Sequence, residues 1–174
     1  MVLEFSYDAV GGTRPAQENW LERPDGYRRF ERTVRLGHGE RRWQTAAEAV
    51  LIWQIKTRSG FAVRPIGGDV KVRPGVPYEL SARVGPLAVR EPVRVVAVVQ
   101  QPDRCGFSYG TLAGHPVSGE EAFITHRSDD GQVWLTIRSL TRPADNGWRW
   151  VFPLLLIAQQ FYRTRYLRAL LPDD

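Results

Sequence analysis

The chain has 174 residues, 43% of them hydrophobic and 25% charged, with a formal net charge of +5. That length and balance fit one globular domain, 1–174, able to bury roughly two-thirds of its unfolded surface, and exclude a disordered or repeat-built chain. A lone cysteine, Cys105, excludes an internal disulfide, and the longest apolar run, Val151 to Ala158, contains Pro153 and is too short to cross a bilayer.

Glu4 falls where a signal peptide would need an apolar core, so the chain reads as a soluble cytoplasmic protein. Leu3 to Asp8 alternates apolar and polar residues, which predicts a half-buried strand, and Gly11-Gly12 ends it. Thr13 to Asp25 is polar and irregular, leading to a Pro24-Asp25-Gly26 turn. Tyr27 to Leu36 reads as extended and closes at Gly37-His38-Gly39, a turn and not a phosphate loop, since the next helix starts several residues later. Arg28, Arg29, Arg32, Arg35, Arg41 and Arg42 cluster here among Tyr27, Phe30 and Trp43. Basic residues interleaved with aromatics suit nucleic acid. Only Lys56 and Lys71 among the 24 basic residues are lysine, however, so the arginines follow a chain-wide preference. A solvated face near Glu31 and Glu40 is the favoured reading, ahead of nucleic acid.

Thr45-Ala46-Ala47-Glu48 has the spacing of a capping box, which predicts a helix over 45–59 with a stop at Gly60. Short strands follow at Phe61 to Ile66, Asp69 to Val72 and Tyr78 to Val84, then a β-branched strand at Val93 to Val99. Gly106 to Leu112, Glu121 to His126 and Gln132 to Leu140 complete the strands, with turns at Gly114 to Gly119 and Asp129-Asp130-Gly131. Such short spacing implies an antiparallel meander. A helix from about Trp150 to Leu171 ends the chain, Pro153 suiting its first turn and Pro172 stopping it. The fold class is therefore α+β, a curved antiparallel sheet gripping a long C-terminal helix.

Cys105 to Phe123 holds four glycines, a His-Pro step and two adjacent carboxylates. Gly106-Phe107, Tyr109-Gly110-Thr111-Leu112, Gly114-His115-Pro116, Gly119-Glu120-Glu121 and Phe123 resemble the signature of a family of uncharacterised bacterial and plant proteins, a domain-of-unknown-function group. That resemblance implies a fold and a site but no named reaction. The element order, in turn, resembles the START-like helix-grip fold, in which a sheet wraps a C-terminal helix and leaves a cavity between them. Polyketide-cyclase-like proteins are the enzymes this implies.

Gly106-Phe107-Ser108-Tyr109-Gly110 matches the nucleophile elbow of hydrolases, but no helix follows it and the chain lacks alternating βα units. The catalytic candidates are instead His115, Glu120, Glu121 and Tyr109, an imidazole with nearby carboxylates forming an acid/base set near neutral pH. Adjacent strand residues point to opposite faces, so only one of Glu120 and Glu121 is expected to face a cavity. The ligand-binding candidates are Phe107, Tyr109 and Thr111 on one strand face, Trp134 and Arg138 on another, and Phe161 and Arg165 on the C-terminal helix. Arg165 falls within that helix's apolar face and would need an acidic partner, Glu120 or Glu121, unless its stem packs and its head reaches water. His38, His115 and His126 lack ligand spacing, so no metal and no cofactor is implied. A module for a small apolar or amphipathic ligand is the leading reading. An acid/base enzyme on the same cavity, or an interaction protein using its arginine face, are the alternatives.

Overall fold

The computed structural model describes residues 4–84, 87–145 and 147–172. Among the described residues seven strands form one antiparallel sheet: β1 Arg28–His38, β2 Phe61–Pro65, β3 Pro77–Val84, β4 Leu87–Gln100, β5 Arg104–Thr111, β6 Val117–Arg127 and β7 Gln132–Pro143. Their order is β1-β7-β6-β5-β4-β3-β2, a meander from β2 to β7 with β1 added beside β7. Helices α1, Glu40–Leu51, and α2, Gln54–Arg58, link β1 to β2, and α3, Phe152–Arg168, follows β7 after a 3₁₀ turn at Gly147–Val151. No described helix is long and apolar enough to cross a membrane.

The concave face carries the core. Val133, Leu135 and Ile137 of β7, Phe123 of β6, Phe107 of β5 and Val93 and Val95 of β4 point inward, where Trp43, Ala46, Val50 and Trp53 of the α1–α2 segment cover them. Register is legible from the pairs. Ser139 lies opposite Glu121, Glu121 opposite Tyr109 and Tyr109 opposite Val95, so these four form one row across the concave surface.

The convex face is covered over β5–β7 by the segment before β1. Phe5 bridges Leu112 and Ser6 N–H donates to Thr111 O, but the expected strand over 3–8 does not form there, and Leu3 lies outside the described residues. The segment is held mainly by side chains. Arg138, only 1% exposed, donates to the carbonyls of Arg14, Gln17 and Glu18, and Arg104 donates to those of Pro15 and Gln17. Two signature glycines are explained by close approach. A Cβ at Gly110 would meet Tyr7 Oη at 2.1 Å, and one at Gly119 would meet Leu140 O at 1.9 Å.

Three expectations about elements are corrected. The first helix begins at Glu40, behind Gly39, so Thr45 is mid-helix and donates to Arg41 O where a capping box was expected. That helix also breaks at Trp53, whose φ of 62° is left-handed, a rare state for a bulky side chain. Packing accounts for the break: the fully buried indole lies 4.6 Å from the Phe107 ring and 5.0 Å from that of Tyr78. Asp69 to Val72 makes no strand, its flanking Gly67, Gly68 and Pro74 favouring turns.

Candidate functional site

The break at Trp53 starts α2, and α2 carries Lys56 over the sheet. Lys56 is 3% exposed. Its Nζ donates to Tyr166 Oη at 2.8 Å and lies 3.5 Å from Glu121 Oε2. The Phe61, Tyr166 and Tyr109 ring centroids stand 4.3, 4.7 and 5.3 Å away. Tyr109 Oη donates to the same Glu121 oxygen. A buried ammonium is tolerated only when paired and hydrogen-bonded, and this one has a carboxylate, a phenol and aromatic faces. Burial first, and Glu121 second, push the Tyr109 and Tyr166 hydroxyls well above the ordinary tyrosine range, so both phenols are neutral.

This cluster forms one wall of a cavity of about 130 Å³ between the sheet and α3. Leu155, Ala158, Gln159, Tyr162 and Tyr166 close it from α3, while Ser139 and Thr141 line it from β7. Across from Lys56 stand His115, on the β5–β6 turn, and Glu91, on β4, with His115 Nε2 3.8 Å from Glu91 Oε2. His115 Nδ1 faces the Val117 backbone, 2.8 Å from its carbonyl oxygen and 3.1 Å from its nitrogen. Burial and then Lys56 push the imidazole down to about 3, leaving it neutral in ordinary buffers. Burial pushes the Glu91 carboxyl up, Lys56 opposing and Glu121 adding to the rise.

The candidate residues therefore divide. Tyr109, Thr111, His115 and Glu121 line the cavity. Thr111 Oγ1 is tied to the Gly119 backbone, accepting from its N–H at 2.9 Å. Glu120 turns its carboxylate to the convex face, accepting from Tyr7 Oη at 2.8 Å, Gly11 N–H at 2.6 Å, Thr13 N–H at 3.1 Å and the Thr13 hydroxyl. It anchors the segment before β1 and is not placed for catalysis. Phe107 is core, fully buried beneath Trp53. Trp134 and Arg138 are convex, because Val133, Leu135 and Ile137 take the inward positions of β7.

Phe161 and Arg165 point away from the cavity. Phe161 is 59% exposed, and Arg165 is exposed with its guanidinium 5.6 Å from the Phe161 ring, so the pairing with Glu120 or Glu121 does not occur. Leu154, Ile157 and Phe161 make an exposed apolar stripe, and the inward face is Leu155, Gln159, Tyr162 and Tyr166. Apolar residues surround the first half of α3, so its period defined no single face. Arg163 is the arginine that turns in, donating to Ser139 Oγ at 2.7 Å and stacking 3.9 Å from the Phe30 ring. Of the basic cluster, Arg29 stacks 3.8 Å from Trp20 and donates to its carbonyl, and Arg42 donates to the Leu36 and Leu170 carbonyls. Those two are engaged within the fold.

Sequence reasoning missed Lys56 and Glu91. A lysine in an arginine-dominated chain, three residues past a buried tryptophan, was the available signal for the first. Period-two alternation with Val93 and Val95 was the signal for the second.

A curved sheet closed over its C-terminal helix around such a cavity is a helix-grip fold with a START-like layout. The family described as a domain of unknown function, DUF1990, matches residues 6–169, and the chain belongs to it. A UPF0548 protein of Deinococcus radiodurans is 35% identical over 157 residues, covering 84% of this chain and 78% of that one. Among solved structures, a hypothetical protein of Helicobacter pylori is similar with a TM-score of 0.64 at 8% identity, over 89% of this chain and 96% of that one. A Thalictrum flavum norcoclaurine synthase mutant, in complex with a transition-state analogue, is similar with a TM-score of 0.55 at 10% identity, over 83% and 94%. At those identities the structural likeness concerns the fold alone.

Proposed function

We propose that the protein binds one small apolar or amphipathic molecule between its sheet and α3. The observation that carries this reading is the cavity itself, about 130 Å³ walled by Phe61, Tyr109, Tyr162 and Leu155 with Lys56, Glu91 and Glu121 among them. Ligand sites have this composition, mostly apolar walls with a few convergent polar groups. An apolar cavity of about 150 Å³ accepts a benzene ring, so the enclosed part of the ligand is compact. Native mass spectrometry of protein from its own cells, followed by organic extraction, tests the reading. A co-purified molecule should be present in the natural protein and lost from Ala158→Phe, which fills the cavity from α3. A clean unliganded mass, with no thermal stabilisation by compounds of this size, overturns it.

Acid/base catalysis on the same cavity is a second reading, favoured by one observation: Glu121, Lys56 and Tyr109 form a contiguous hydrogen-bonded and ionic set at its wall. Glu121 would serve as base and Lys56 with the phenols as donors to developing negative charge. His115, held neutral and tied to Val117, would orient the ligand. Chemical change of the co-purified molecule by the natural protein, abolished in Glu121→Gln, would support catalysis, and unchanged ligand would leave simple binding.

A further inference from the structure

The polar lining of the cavity is uneven in charge. Its ionisable groups are Lys56, Glu91 and Glu121, together with neutral His115, the Glu120 carboxylate being engaged on the convex side. The Lys56 ammonium is matched by Glu121 and Tyr166, and Glu121 takes the Tyr109 hydroxyl as well. Among the described residues no donor within hydrogen-bond distance engages Glu91, whose one ionic contact is His115 Nε2 at 3.8 Å. Its side chain retains 19% of its exposure, and that remainder borders the cavity. A carboxyl so placed has lost most of its water without gaining a hydrogen-bond donor among the described residues, the condition that a ligand donor relieves.

We propose, resting on the ligand-cavity reading and narrowing it, that the occupant carries a protonated amine with Glu91 as its counter-ion. The placement of charge favours a cation over the alternatives. Lys56 pairs with Glu121 and Arg163 reaches Ser139 on the same side, while among the described residues no arginine or lysine pairs with Glu91, so an ammonium there completes the pair. A ligand carboxylate would face two glutamates across a lysine already engaged. An alcohol would satisfy the hydrogen bond but leave the charge uncompensated. The rings of Phe61, Tyr109 and Tyr162 add faces that attract cations and accept an apolar body. Because burial holds the Glu91 carboxyl above the ordinary range, amine binding drives its ionisation. Protons are therefore released on binding between the bound and free values, and amine affinity rises with pH through that window and is flat above it.

The test uses three matched probes: benzylamine, benzyl alcohol and benzoate, titrated into the full chain at neutral pH by calorimetry and NMR. Benzylamine should bind at least about ten-fold more tightly than benzyl alcohol, a gap of about 1.4 kcal/mol, with benzoate weakest. Repeating the benzylamine titration at mildly acidic pH, in two buffers of different ionisation enthalpy, should register proton release. Glu91→Gln should bring benzylamine down to the alcohol's affinity while the alcohol still binds. Equal binding of amine and alcohol by the natural protein, or tighter binding of benzoate, overturns the amine assignment and leaves the ligand cavity standing. Failure of all three probes overturns both.

Discussion

Lys56 and Glu121 make a quantitative prediction about the folded state. Replacing Lys56 with Met keeps the length of the side chain and its contacts with Phe61 and Tyr166, and removes the cation opposite Glu121. The Glu121 side chain is only 13% exposed, so its carboxylate then stands nearly dry with the Tyr109 hydroxyl as its remaining donor among the described residues. Breaking a buried pair from one side costs about 3–5 kcal/mol. The retained hydrogen bond to the charged group, worth about 1.5–3 kcal/mol, argues for the lower end. We expect Lys56→Met to cost about 3 kcal/mol, a Tm decrease of about 6–12 °C for a domain of this size. Glu121→Gln strands the ammonium and should cost a similar amount. The double variant removes both charges and should recover at least about 2 kcal/mol relative to the sum of the singles. Urea unfolding monitored by tryptophan fluorescence measures all four members of the cycle. Additive losses, or single variants within about 0.5 kcal/mol of the natural protein, would refute the buried pair.

Glu120→Gln should lower stability by about 3 kcal/mol, because four donors converge on its carboxylate, and should speed proteolysis within 9–18 while leaving cavity binding unchanged. A change in probe affinity with an intact N-terminal segment would contradict that role. His115 should show no titration in NMR above about pH 4; a midpoint near 6.5 would disprove its burial. Its folded value lies below the unfolded one, so unfolding takes up a proton between about pH 3 and 6.5. Stability from this group should rise with pH by up to about 1.4 kcal/mol per unit through that window and be flat above it. Arg165→Leu should be neutral within about 0.5 kcal/mol in urea unfolding, since the guanidinium is exposed; a loss of several kcal/mol would mean it is paired and buried. Cys105, its thiol pushed up to about 11 by burial, should resist aromatic disulfide reagents at mildly alkaline pH until the protein unfolds; rapid native reaction would contradict this.

The strands were legible from their β-branched content and the short spacing between turns, although β5–β7 are buried on both faces. Val93 to Val99 and Gln132 to Leu140 read correctly, as did the turns at Pro24-Asp25-Gly26 and Asp129-Asp130-Gly131, whereas β1 continues through Gly37 to His38 and β6 begins at Val117, inside two stretches expected to turn. Three things were not legible. Trp53 adopts a left-handed backbone for tertiary reasons, and no local propensity announces it. Strand alternation says which residues share a face but not which face is concave, and Arg138 was assigned to the wrong side for that reason. Buried arginine on the convex face is stabilised by the carbonyls of residues more than a hundred positions away, a partnership no local pattern encodes. The C-terminal helix was located correctly, but its apolar circumference left the inward face unspecified by a rotation of about one residue.

Glu120 and Glu121 condense how this fold uses a strand near its centre. One residue apart, they serve two polar networks on opposite sides of the same sheet. Outward, Glu120 draws in Tyr7, Gly11 and Thr13, and with Arg138 and Arg104 it pins the segment before β1, so Gly110 must be bare for Tyr7 to pass over it. Inward, Glu121 faces Lys56, Tyr109 and the cavity. The signature residues are therefore not one site. Gly110, Gly119 and Glu120 hold the sheet and its covering segment together, while Tyr109, His115 and Glu121 border the ligand space. Because the sheet is a single layer, a shift of register in β6 by one residue would exchange the two carboxylates and destroy both networks at once. The close approach of Gly119 to Leu140 O, which no side chain could tolerate, fixes β6 against β7 in the register that keeps each glutamate on its own side.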